Sequence, residues 1–171
     1  MRAIEVANFM IVKFGQDLQI TNLKLNKLLY YAQVEQLRRD GTRLFSDDIE
    51  AWTYGPVVPS VYQAFKHYRR DVISNPIEDV AQLPASVILT IEHVANTYGK
   101  LSTFDLVEFS HREAGAWNKV YSNTPGATIS VEDILASDDA NGLKNLGNTV
   151  EEDIQAVISS IPNALRLLAN S

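Results

Sequence analysis

A chain of 171 residues with 46% hydrophobic and 21% charged side chains is long enough to bury a core, and its composition is neither disordered nor collagen-like. It contains no cysteine, which excludes disulfides, zinc-thiolate and iron–sulfur centres and cysteine nucleophiles. The net charge of −6 is uneven: residues 1–75 hold ten Lys and Arg against eight Asp and Glu, residues 76–171 five against thirteen. An acidic half opposes the wrapping of DNA and suits a basic protein partner or plain solubility.

In residues 1–14 the apolar positions are interrupted by Glu5, Asn8 and Lys13, so the stretch lacks the continuous core of a signal peptide. No apolar run reaches the ~18 residues of a membrane span, and the expected setting is the cytoplasm, with no membrane partner. Ile4, Ala7, Ile11 and Phe14 fall at helical spacing ahead of Gly15, which predicts a first helix. Thr21 is placed to cap a second, in which Leu25, Leu28, Leu29 and Ala32 form one stripe and Tyr30, Val34 and Leu37 another beside it. So broad an apolar arc predicts burial on two sides, with Gly41 as the left-handed stop.

After Thr42 the period shortens. Ile49, Ala51 and Thr53 alternate with Glu50, Trp52 and Tyr54, which predicts a short strand, and Gly55-Pro56 reads as the turn after it. Pro59 fits the first turn of a third helix, with Val58, Val61, Tyr62 and Phe65 inward and Gln63, Lys66 and Arg70 outward. Asn75-Pro76 and Leu83-Pro84 punctuate an irregular link to a fourth helix bearing Val87, Ile88, Ile91, Val94, Ala95 and Tyr98, stopped by Gly99. Ser102 caps a fifth, with Phe104 and Val107 on its inner face. Ser110-His111-Arg112-Glu113 has the form of a capping box and predicts a helix start or sharp bend leading to Trp117 and Tyr121. Ser130 and Thr149 open helices near 131–136 and 150–159, Pro162 begins a last short one, and residues 138–148 are expected to form a mobile surface loop. The sum is a mainly α fold: a single compact helical domain over 1–171, of about seven helices, with a small β element near residues 47–55.

His111 and Glu113 are the candidate acid–base pair, since imidazole and carboxylate exchange protons near neutral pH. They also have a plainer reading, Glu113 as the capping partner of Ser110 and His111 as a core residue on the Phe104–Val107 stripe. No cysteine pair follows, as the H-x-E of zinc deaminases requires. Asp47, Asp48 and Glu50, or His67 and His93, offer metal donors, but S-D-D-I-E lacks the glycine and spacing of a calcium loop, and no H-E-x-x-H occurs. Neither metal nor cofactor is expected. Phosphate-binding glycine loops and the G-x-S-x-G elbow are missing as well. Trp52, Tyr54 and Trp117 read as either interface anchors or core plugs. Lys66, Arg69 and Arg70 read as either a basic patch or a solvated helix end.

Three segments carry a resemblance. Residues 24–33 read K-L-N-K-L-L-Y-Y-A-Q, residues 44–59 read L-F-S-D-D-I-E-A-W-T-Y-G-P-V-V-P, and residues 111–117 read H-R-E-A-G-A-W. Together they resemble the Panacea-domain family, which includes SocA-like antitoxins and phage-associated GepA-like proteins. The likeness is strongest over residues 4–121. The third segment departs from the usual form by one extra residue between Glu113 and Trp117 and by Gly115-Ala116 where a proline is usual, and the acidic, helix-patterned extension 124–171 lies outside it. The resemblance implies an antitoxin of bacteria or prophages, not an enzyme, that neutralises a protein toxin encoded beside it by direct binding, or as an adaptor that delivers the toxin to an ATP-dependent protease. Trp52, Tyr54, Pro56, Tyr62, Lys66, Arg69, Arg70, His111, Glu113 and Trp117 are then the residues expected to contact the toxin or shape the surface that does. Two other readings compete: a small hydrolase or transferase using His111 and Glu113 beside Tyr54 or His67, and a phage DNA-binding regulator using Lys24, Lys27, Arg38 and Arg39. Overall acidity and the leucines of the same helix weigh against nucleic acid.

Overall fold

The computed structural model describes residues 1–140; the helices expected near 150–159 and after Pro162 lie outside the described residues. These residues form seven α-helices, one 3-10 turn and a two-stranded antiparallel sheet, so the fold is mainly helical as predicted. Helix α1 (Ala3–Phe14) has its first turn held by two carboxylates, Glu5 accepting from Arg2 N at 2.6 Å and Asp47 from Ala3 N at 2.8 Å. Negative groups there answer both the unpaired N–H donors and the helix dipole. Helix α2 (Asn22–Asp40) starts at Thr21, whose hydroxyl accepts from Lys24 N, and stops at Gly41 with φ of +67°. Every residue from Asn22 to Leu37 except Leu23 is buried, because α2 is the axle of the fold. Around it pack α1, α3 (Pro59–Phe65), α4 (Ala85–Thr97), α5 (Thr103–Ser110) and α7 (Val131–Leu135). Each fully buried leucine of this helix stabilises the fold by about 1.5–3 kcal/mol relative to exposure.

Strands β1 (Glu50–Trp52) and β2 (Gly55–Val57) pair Glu50 with Val57, Ala51 with Pro56 and Trp52 with Gly55. The turn is therefore Thr53-Tyr54, and Gly55-Pro56, expected as the turn, is the returning strand. Two local facts permit this. Gly55 adopts φ of +98°, open to glycine. Ala51 turns both its backbone groups away from β2, donating to Ala127 O and accepting from Gly126 N, so its pairing with Pro56 needs no N–H from proline. Residues 126–129 thus run beside β1 as a short third row, with Ile129 N donating to Ile49 O at 2.7 Å.

Helix α3 begins with Pro59 in its first turn and buries Val61 and Phe65, then tightens into a 3-10 turn, Lys66–Tyr68. Ser102 and Asp105 form the capping box of α5, and Ser130 and Asp133 that of α7. The expected inner face of α5 is corrected: Phe104 is 59% exposed, and Leu106, Phe109 and Ser110 face inward. The aromatic that packs is Phe109, 5.4 Å from Tyr31 and 5.9 Å from Tyr98, whose own rings stack at 4.4 Å. Ser110 is the last residue of α5 rather than a cap. Its hydroxyl donates to Val107 O, Glu113 is exposed, and α6 (Ala116–Asn123) begins from Gly115 with no side-chain cap. Only the predicted bend holds there. Residues 138–140, placed in a mobile surface loop by the sequence, are helical, and Asp139 and Ala140 are buried.

Candidate functional site: an aromatic groove at the hairpin

The hairpin is gripped by side chains of α2. Strand β2 turns Pro56 O and Val58 N outward, and Lys27 Nζ donates to the first at 2.8 Å while Asn26 Oδ1 accepts from the second at 2.9 Å. An exposed sheet edge invites pairing with other chains; here two polar residues of a buried helix close it. Gln33 accepts from both Leu44 N and Phe45 N at 2.9 and 3.2 Å. Residues 24–33 and 44–59 are thereby one unit, the helix carrying the polar hooks and the hairpin the backbone they hold. Gly55 makes the approach possible: a Cβ there would lie 2.5 Å from Ser110 Oγ and 2.8 Å from Lys27 Cε.

Residues 111–117 hold the other side. Trp117 Nε1 donates to Trp52 O at 2.8 Å, and the Trp117 ring lies between His111 at 3.7 Å and Tyr121 at 4.7 Å, both stacked. Beneath them Asp139 joins three elements, accepting from Tyr30 Oη at 2.6 Å, Ala116 N at 2.8 Å and Arg112 Nη2 at 2.6 Å. Burial acts to lower the Arg112 pKa, but the Asp139 carboxylate together with Tyr31 and Tyr98 raises it on balance, and the guanidinium lies over the Phe109 ring at 4.2 Å. Burial brings Lys27 down to about 7, and burial followed by the Lys27 charge lowers His111. The phenols of Tyr30, Tyr31 and Tyr98 are pushed up, chiefly by burial.

Held from both sides, the hairpin forms one wall of a cavity of about 500 Å³. Its other walls are Leu23 of α2, Tyr62 of α3, Tyr121 of α6 and Pro125-Gly126, with Asn26 at its base. Trp52 meets Tyr62 edge-on at 5.0 Å and donates Nε1–H to Glu50 at 2.7 Å. The Asn26 amide also donates to Asn22, so Asn26 and the Trp52 N–H are already paired. A lining made mostly of aromatic and aliphatic side chains, with its amide and indole N–H groups paired, favours an apolar side chain. Tyr54, 66% exposed at the hairpin tip, forms the rim.

Eight of the ten expected site residues fall into three groups. Trp52, Tyr54 and Tyr62 line the groove, Pro56 and Trp117 secure the hairpin that forms it, and Lys66, Arg69 and Arg70 are exposed just beyond α3. His111 and Glu113 are not brought together as a catalytic pair. His111 is stacked on Trp117, Glu113 is exposed, and neither they nor His67 line the cavity with Tyr54. The cationic face proposed for DNA is also dismantled. Lys24 and Lys27 are buried on Leu18 O and Pro56 O, Arg38 is paired with Glu35, and Arg39 donates to Thr90. Asp47, a metal candidate in the sequence, instead ties Ala3 N to Ser60 Oγ, and among the described residues no group of His, Asp and Glu is placed to hold a metal ion. Among them, too, no helix is long and apolar enough to cross a membrane. Sequence reasoning missed Asn26, Gln33 and Asp139, and it placed Lys27 on a DNA-facing surface rather than against Pro56 O. The available signal was polar residues set into the otherwise apolar arc of α2.

A family model described as "Antitoxin SocA-like, Panacea domain" matches residues 25–118, the span that holds most of α2, the hairpin and the stacked His111–Trp117 pair. The Antitoxin SocA of Caulobacter vibrioides (strain NA1000 / CB15N) is 33% identical over 139 residues, covering 74% of this chain and 73% of that protein. No solved structure matches the chain.

Proposed function

The chain belongs to the family of SocA-like antitoxins built on the Panacea domain, and from that premise we propose that it neutralises a protein toxin encoded beside it, in the cytoplasm, by seating part of that toxin in the hairpin groove. The observation that carries this reading is the groove itself: an apolar slot walled by Trp52, Tyr62 and Tyr121 with Tyr54 at its rim. Rigid aromatic walls around a desolvated pocket are where protein interfaces concentrate their binding energy. The α2 hooks and the Trp117 indole keep the slot preformed, which lowers the ordering cost of association. No catalytic step is assigned to the chain.

Coexpression with the adjacent reading frame tests this. The neighbour alone should arrest growth, and this chain should restore it. A neighbour harmless on its own contradicts the reading. Measuring the toxin's half-life during rescue separates masking, in which it is unchanged, from delivery to an ATP-dependent protease, in which it shortens.

A further inference from the structure

Helix α3 contributes Tyr62 to the groove and is followed by a run of cations. Lys66 lies four residues after Tyr62, hence on the same side of the helix and about 6 Å further along it. Arg69 and Arg70 follow in the next turn. All three are exposed, and among the described residues none has a carboxylate partner, whereas Arg2, Lys13, Arg38 and Arg112 are each paired. Arg69 also adopts φ of +54° with ψ of −107°, a sparsely populated backbone conformation that costs a non-glycine residue about 1–3 kcal/mol. Glycine would take it more easily, so strain is tolerated at a position occupied by a cation. This concentration of positive charge stands on a chain whose net charge is −6.

We propose, resting on the reading that the groove receives a protein toxin, that the segment it receives is acidic: a bulky apolar side chain enters between Trp52, Tyr62 and Tyr121, and carboxylates next to it meet Lys66, Arg69 and Arg70. The two halves of the surface divide the work. The apolar slot supplies residence time, and the unpaired cations, at the edge of an otherwise acidic molecule, supply orientation and encounter rate. An acidic surface elsewhere on the toxin would be repelled by the rest of this chain, so the patch also sets the register of docking.

The test uses the full-length chain and the purified product of the adjacent reading frame, with affinity measured between about 50 and 300 mM salt, a range over which exposed charge pairs are progressively screened. The wild-type complex should weaken as salt rises. The triple reversal Lys66→Glu, Arg69→Glu, Arg70→Glu should weaken it about tenfold at low salt, mainly through the association rate, and invert the salt dependence, because salt then screens a repulsion. Circular dichroism checks that the exposed substitutions leave the fold intact, and the neutral triple change to glutamine should give an intermediate loss. If the wild type binds but the reversed variant binds equally well, or better, the acidic-segment proposal is overturned while the antitoxin reading stands. If the wild type does not bind the neighbour at all, both fall.

Discussion

Replacing Lys27 with methionine isolates what a buried amine does at the centre of this fold. The side chain is fully buried, and burial lowers its pKa from 10.5 to about 7. Between those values the unfolded chain holds a proton that the folded chain does not, so the stability of the native state rises with pH. Integrating that difference from about pH 7 to 9.5 gives a gain of about 3 kcal/mol for the wild type. Methionine cannot titrate, and the Lys27→Met variant should show no such gain. At pH 7 the variant escapes a desolvation cost of about 4 kcal/mol but leaves Pro56 O without its donor, a loss of about 1–3 kcal/mol. It should therefore match or exceed the wild type at pH 7 and fall below it by pH 9.5. The window ends there because Tyr30, Tyr31 and Tyr98, whose phenols are pushed up by burial, reverse the trend once the unfolded chain ionises them at about pH 10. Urea denaturation at several pH values measures both curves. Parallel curves for wild type and variant would refute the reasoning, since they would mean that Lys27 keeps its proton in the fold.

Gly55→Ala should destabilise the protein by about 3 kcal/mol, because the new methyl meets Ser110 and Lys27 at a backbone angle of +98°; a thermal melt reads this as a fall of roughly 6–12 °C. Asp139→Asn keeps the volume but leaves Arg112 without its counter-charge, at a cost of about 3 kcal/mol, with faster hydrogen exchange at the Ala116 amide. Trp117→Phe removes the donor to Trp52 O and should cost about 1 kcal/mol while changing the near-ultraviolet circular dichroism of the remaining Trp52. His111, lowered by burial, should contribute a loss of stability as pH falls through about 6.5, where the unfolded imidazole protonates first, and His111→Phe should flatten that limb of a pH titration.

Local signals in the sequence were sufficient for most of the described helices, though not for the start of α6 or the helical residues 138–140. Thr21, Ser102 and Ser130 act as caps, Gly41 as a left-handed stop and Pro59 as a helix starter, because each acts within a turn of its own position. The helical period also identified α2 as buried on two sides. What escaped were contacts with no period. Lys27 reaches Pro56 across 29 residues, and Tyr30 reaches Asp139 across 109, so neither residue type nor spacing announces the partner. Phe104 was placed inward on hydrophobicity alone, whereas the α5 orientation buries Phe109 against Tyr31 and Tyr98. The groove was half legible. Trp52, Tyr54 and Tyr62 stand within one short stretch, but the cavity is completed by Tyr121, Pro125 and Gly126, brought to it by the row of hydrogen bonds along β1.

The most direct measurement is the affinity of this chain for the purified product of the adjacent reading frame, taken with Tyr54→Ala beside the wild type. Tyr54 is 66% exposed at the rim, so its removal spares the fold and reports on the groove. The account predicts a stable complex that the substitution weakens by about 1–2 kcal/mol, roughly tenfold. No complex, or one indifferent to both Tyr54→Ala and Tyr62→Ala with the fold intact, would contradict it.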